Sequence, residues 1–174
     1  MLSTRAQILD AAGRLFAQQG YQHTSVREIA EQVGLTKTAV LYHFPAKADI
    51  FAALAEPLLD DLQAALGIAG TRWQVIEGMV EVYLKYRRLL RDNMMHDMVL
   101  LGQESVVRRF TQLMIGANRL IAGPDPDLRE KVRAAQVVAM LSDPIIAHGD
   151  EPPDQLRAEV LRGVRLLYPE DREA

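Results

Sequence analysis

The sequence predicts an all-α protein, and three observations carry that reading. Apolar residues recur at i, i+3, i+4 and i+7 through nearly every segment, and no stretch alternates convincingly in the manner of a strand. Helix-opening signatures stand at the heads of these segments: Thr4 with Gln7, and Ser25 with Glu28, are spaced as capping boxes. Helix-stopping residues follow at helix-length intervals, at Gly20, Gly34, Pro45, Gly-Pro-Asp-Pro over 123–126 and Asp-Glu-Pro-Pro over 150–153.

The elements follow in order. Thr4 opens a first helix in which Ile8, Ala12, Leu15 and Phe16 share one face, and Gly20 ends it in the C′ position. Ser25 opens a short second helix with Val26, Ile29, Ala30 and Val33 as its stripe, ended by Gly34. Thr36 caps a third that runs to about Phe44, where Pro45 closes it. A fourth begins near Ala46, points Ile50, Phe51, Leu54, Leu58 and Leu62 inward, and is expected to kink at Pro57. The segment from about Thr71 to Asp92 carries two apolar stripes: Trp73, Ile76, Val80, Tyr83 and Leu84 on one side, and Val75, Met79, Val82, Tyr86 and Leu90 on the other. A helix apolar on both sides is packed by neighbours all round. Further helices are expected at roughly 94–102, 104–122, 127–148 and 153–168.

Composition narrows the class. The 174 residues are 49% apolar and 25% charged, ordinary values for a globular chain large enough to bury a core. No cysteine is present, which removes disulfides and thiolate metal sites. No apolar run approaches membrane length, and the opening Met1-Leu2-Ser3-Thr4-Arg5 lacks the apolar core of a signal peptide, so a cytoplasmic setting is expected. Net charge is −3, on its face unfavourable for a nucleic-acid partner. The first fifty residues nevertheless carry +1, with Arg5, Arg14, Arg27, Lys37 and Lys47 against Asp10, Glu28, Glu31 and Asp49. Spacing must therefore carry any such claim.

It does so between residues 24 and 47. A short helix, a glycine at a sharp turn and a second short helix are the sequence form of a helix-turn-helix. Its second helix must pack through a narrow stripe and leave the opposite face free for the major groove of double-stranded DNA. At 100° per residue Val40, Leu41 and Phe44 fall on one side of the third helix. Thr38, Ala39, Tyr42 and His43 face the other way, and none is acidic. Lys37, at the helix start, can reach a base edge or a phosphate. Thr24, Ser25, Thr36, Tyr42, His43 and Lys47 are candidate backbone clamps. Lys47 sits in the first turn of a helix, where a cation opposes the dipole unless an anion is held there.

The run Thr24-Ser25-Val26-Arg27-Glu28-Ile29-Ala30, then Gly34-Leu35-Thr36-Lys37, then Tyr42-His43-Phe44-Pro45-Ala46-Lys47, resembles the DNA-binding domain of the TetR family. The opening Thr4-Arg5-Ala6-Gln7-Ile8-Leu9-Asp10-Ala11-Ala12, with Phe16 and Gly20, extends the resemblance over about residues 4–54. It implies a homodimer on a palindromic operator and repression relieved by a small ligand. By position it assigns DNA-contact roles to Thr36, Lys37, Tyr42, His43 and Lys47. Two departures stand out: the family often has glycine where this chain has Thr38, and tyrosine where it has Leu41. The expected architecture is an N-terminal three-helix helix-turn-helix DNA-binding domain over 1–47 and a C-terminal helical ligand-binding and dimerisation domain over 48–174.

The second domain holds most of the methionines. Trp73, Met79, Tyr83, Tyr86, Met98, Met114 and Asn118 are expected to line a pocket beside the fifth helix for a mostly apolar effector; the same residues would equally fill a plain core. Leu156, Val160, Gly163, Val164 and Leu167 on the last helix, with Val138, Leu141 and Ile145 on the one before, form a stripe suited to a four-helix dimer interface or to packing within one subunit. His96-Asp97 and His148-Gly149-Asp150 lack a spacing that demands a metal. No phosphate loop, nucleophile elbow or cofactor motif is recognised, so no catalytic residue is assigned. The expected partners are an operator duplex, a second copy and a small effector, with no membrane. The alternative is a helical small-molecule-binding or interaction protein without DNA readout.

Overall fold

The computed structural model describes residues 2–68, 70–90 and 104–168, and these form helices joined by turns and short irregular segments, with no strand among them. In chain order the helices are α1 (Thr4–His23), α2 (Val26–Gln32), α3 (Lys37–His43), α4 (Lys47–Ile68), α5 (Arg72–Leu90), α6 (Glu104–Ala122), α7 (Leu128–Ala147) and α8 (Pro153–Leu167). The helix expected at 94–102, with Met98 and His96, lies outside the described residues.

Local chemistry explains the starts and stops. α1 is capped one residue earlier than Thr4: the Ser3 side chain accepts from the Ala6 N–H, while Gln7 donates back to the Leu2 carbonyl, so no reciprocal box forms. Gly20 interrupts α1 rather than ending it. Its φ of 81° lies where side-chain-bearing residues are strained. The turn carries Tyr21 into a cluster with Phe16 and Phe51, with ring centroids 5.0–6.0 Å apart. α2 has the full capping box at Ser25 and Glu28. α3 is capped by Thr36, whose hydroxyl accepts from the Ala39 N–H.

The described residues form two compact units. One holds residues 2–58 with 89–90 and 104–108, and the other holds 59–68, 70–88 and 109–168. α4 is one helix through residue 47 and past Pro57, with Leu58 closing the first unit and Leu59 opening the second. In the first unit Ile8, Ala12, Ile29, Val40, Ile50 and Ala55 are wholly enclosed.

In the second unit α5 is buried on both sides, at Val75, Met79 and Val82 and at Ile76, Val80 and Tyr83. Gly78 lets α4 approach closely, since a Cβ there would stand 3.1 Å from the Ala65 Cβ. Polar ties add to this packing. Asp61 accepts from Lys85 at 2.6 Å and from the Tyr86 hydroxyl at 2.8 Å, and Arg109 donates to Asp60 and Gln63 at 2.6 and 2.9 Å. α7 opens on a capping box from Asp127 to Glu130 and packs along α8.

Candidate nucleic-acid interface

α2 and α3 are joined by a turn that only glycine fits comfortably, Gly34 having a φ of 68°. The turn is closed by backbone bonds from Gly34 to the Glu31 carbonyl and from Leu35 to the Ala30 carbonyl, at 3.2 and 2.9 Å. α3 then packs through Val40 and the Phe44 ring at its end, both buried. Leu41, expected beside them, is only half-buried, because a seven-residue helix spans two turns and commits one narrow stripe. Thr36, Lys37, Thr38 and Tyr42 are exposed, Tyr42 at 86%. Ala39 and His43 are half-buried, and the His43 ring stands edge-on to Tyr42 with centroids 5.5 Å apart. The outward surface of α3 is thus small or hydrogen-bonding and holds no carboxylate. A helix with that surface can enter the major groove without like-charge repulsion from phosphate.

Two of the expected clamps are placed otherwise. Thr24 is 2% exposed, and its hydroxyl donates to the Gly20 carbonyl at 2.9 Å. That side chain seals the α1–α2 corner and does not face outward. Lys47 is half-buried, lies 4.0 Å over the Tyr21 ring, and donates to the Tyr21 and Thr24 carbonyls at 2.7 Å each. These two carbonyls, at the last turn of α1 and at its C-cap, supply the negative charge that the sequence reading sought in a phosphate. Neither partner could be read from spacing, since they lie 26 and 23 residues away.

The corner is a continuous polar knot. The Gln19 amide reaches the His23 carbonyl, the Thr24 hydroxyl and the Glu28 carboxylate at 3.2–3.3 Å. Glu28 also accepts from the Ser25 N–H at 2.7 Å, and these bonds, led by Ser25, hold its carboxyl below the usual carboxylate range. Ser25 remains exposed, its hydroxyl already accepting from Glu28 N–H but able to donate outward.

The residues expected around α5 are partly brought together. Met79 and Tyr83 are fully enclosed, and the Tyr83 hydroxyl lies 3.5 Å from the Met114 sulfur. Burial pushes the Tyr83 phenol far up, so it stays neutral. Asn118 donates to the Met114 carbonyl at 2.8 Å, yet its Oδ1 is buried without a hydrogen-bond partner, as is the Trp73 Nε1. Tyr86 instead turns to Asp61. Met98 lies outside the described residues. No group of three or more His, Asp or Glu suited to a metal occurs among the described residues, and no described helix is long and apolar enough to cross a membrane.

The α7–α8 stripe needs correction as a partner-facing surface. Leu141, Ile145 and Val164 are 0% exposed within this one chain, so they pack inside their own subunit. Val138, Leu156 and Val160 are 8% exposed, and Gly163 and Leu167 are half-buried. What α7 and α8 leave open is a groove of about 310 Å³, lined by Met140, Pro144, Leu156, Val160 and Gly163 with His148, Glu151, Gln155 and Glu159 along it.

A helix-turn-helix with an open recognition helix, followed by a helical second unit, defines the class of protein. Comparison with known proteins agrees. Residues 8–54 match the profile of the "Bacterial regulatory proteins, tetR family". The HTH-type transcriptional regulator AcrR of Shigella flexneri is 49% identical over 53 residues, which is 30% of this chain and 25% of that protein. The sequence match thus spans about a quarter of such relatives' length. Among solved structures, a transcriptional regulator (TerR/AcrR family) from Aquifex aeolicus VF5 superposes with a TM-score of 0.80 at 18% identity, covering 95% of this chain and 99% of that one. AibR, solved in complex with isovaleryl coenzyme A and operator DNA, has a TM-score of 0.70 at 16% identity over 96% and 99% of the two chains. At such identities the likeness is one of fold. The sequence similarity to the TetR family is thus confined to residues 8–54, the helix-turn-helix and the helices that flank it.

Proposed function

We propose that the chain is a DNA-binding transcriptional repressor that acts as a homodimer on a palindromic operator and is released by a small, mostly apolar effector. The observation that carries this reading is the surface of α3: Lys37, Thr38 and Tyr42 exposed, no carboxylate, and the helix anchored behind by Val40 and Phe44. In this reading Ser25, Thr36, Tyr42 and His43 position the backbone, and Lys37, Thr38 and Ala39 face base edges.

The second copy is proposed to lie across α7 and α8, over the groove at Met140, Pro144 and Gly163. Four helices meeting at such a seam bury the apolar floor that one subunit leaves open. The effector is proposed to lie along α5 and α6, among Trp73, Met114 and Asn118. Buried polar atoms ordinarily have partners, and the Asn118 Oδ1 and Trp73 Nε1 have none. A donor and an acceptor on an otherwise apolar molecule would satisfy them.

The test is an electrophoretic shift with duplex flanking the chain's own gene, repeated with single-base operator variants. Lys37→Ala or Thr38→Ala should alter preference at particular positions by about 1–3 kcal/mol per lost base contact. Absence of any sequence-preferring complex would sink the regulator reading. Ligands found by thermal shift are then titrated against the operator complex, where binding of the two must oppose each other by one common factor.

A further inference from the structure

Five arginine and lysine side chains lie in the first fifty residues, and three of them are hydrogen-bonded to this chain's own oxygen atoms. Arg14 pairs with Asp10, Arg27 pairs with Glu31, and Lys47 is bonded to two carbonyls. Lys37 stands exposed in the first turn of α3. Arg5 is the fifth. It is exposed in the first turn of α1, and among the described residues no carboxylate pairs with it. Its guanidinium instead lies 4.8 Å from the centroid of the Phe44 ring, the residue that caps the end of α3. Such a stack holds the plane of the guanidinium while its N–H edges stay free to donate.

The placement has a consequence for the reading face. α3 has seven residues, so it is about 10 Å long at the usual helical rise. Lys37 marks one end and Arg5, through Phe44, marks the other. The major groove is about 12 Å wide. A cation at the Phe44 end, beyond the residues that face base edges, stands where a phosphate wall of the groove would be. Guanidinium is also the side-chain group best matched to phosphate, through paired N–H donors.

We propose that Arg5 is a DNA-backbone contact, gripping a phosphate at the end of the recognition helix opposite Lys37. The proposal rests on the DNA-binding reading above, and it adds a contact at a residue 42 positions before Lys47 in the chain.

The experiment uses the full chain and a labelled mixed-sequence duplex, with affinity measured across a series of salt concentrations. Each phosphate contact contributes about 0.9 to the log–log salt slope. Arg5→Met keeps an apolar stem over the ring and removes the charge; its slope should be shallower by about 0.9 per subunit, with a thermal midpoint close to the parent's. Arg5→Lys should restore most of the slope. A parent-like slope for Arg5→Met, with affinity lost only in step with the thermal midpoint, would show packing alone and overturn the proposal. If the unmutated chain itself shows no salt-dependent binding to duplex, the DNA-binding reading falls and this contact falls with it.

Discussion

At the scale of single residues, Lys47 illustrates how a side chain of the expected type takes a different partner. A lysine in the first turn of α4 opposes the dipole, so a nearby anion is required. The anion proves to be a pair of main-chain oxygens, those of Tyr21 and Thr24. Bonds from a charged donor to buried or half-buried acceptors are among the stronger ones in proteins. Lys47→Met should therefore lower unfolding stability by about 1–3 kcal/mol, the range for losing charge-assisted bonds. The salt slope of DNA binding should stay that of the parent. Chemical denaturation and the salt series check the two halves independently, and a shallower slope with parent stability would return Lys47 to the DNA surface.

At the scale of elements, legibility followed the reach of the chemistry. The caps at Ser25 and Thr36, the breaks at Gly34 and Gly123, and the extents of α6 to α8 are local, decided within three or four residues, and spacing reveals them. The side of α7 and α8 that faces inward is decided by the rest of the unit. Periodicity places Val138, Leu141 and Ile145 together on a face without saying what covers it. The ties between helices are equally invisible to spacing, Asp61 meeting Lys85 and Tyr86 from 24 and 25 residues away. They have a pH consequence. Hydrogen bonds from Lys85, then from Tyr86, hold the Asp61 carboxyl below its ordinary value. A carboxylate with a lowered folded-state value adds stability that is present above the unfolded value, about 4, and is lost as pH falls through the lowered one. Asp61→Asn should flatten the fall in stability on the acid side of pH 4 while costing little at pH 7, because exposed pairs are weak. Denaturation curves at pH 3 and pH 7 check this, and an unchanged acid limb would mean that the bond does not form in solution.

At the scale of the whole molecule, the decisive quantity is which apolar surface the isolated chain leaves uncovered. Val164 is 0% exposed in one subunit, so a charge there would disrupt the subunit's own α7–α8 packing before it touched any partner. Met140 is different. It is 39% exposed and borders the groove with Gly163, whose added Cβ would meet the Met140 Cε at an ordinary 3.8 Å. A charge at Met140 is solvated in the monomer and desolvated only when a second copy closes over it. Met140→Glu should therefore give folded monomers, with a thermal midpoint that no longer rises with protein concentration, as linkage between folding and association requires. Val164→Asp should instead give unfolded protein. Light scattering beside circular dichroism separates these outcomes. Folded dimers from Met140→Glu would place the interface elsewhere on the molecule. Folded monomers that have also lost operator affinity would show that two helix-turn-helix units must be held together to grip two half-sites, one turn of DNA apart.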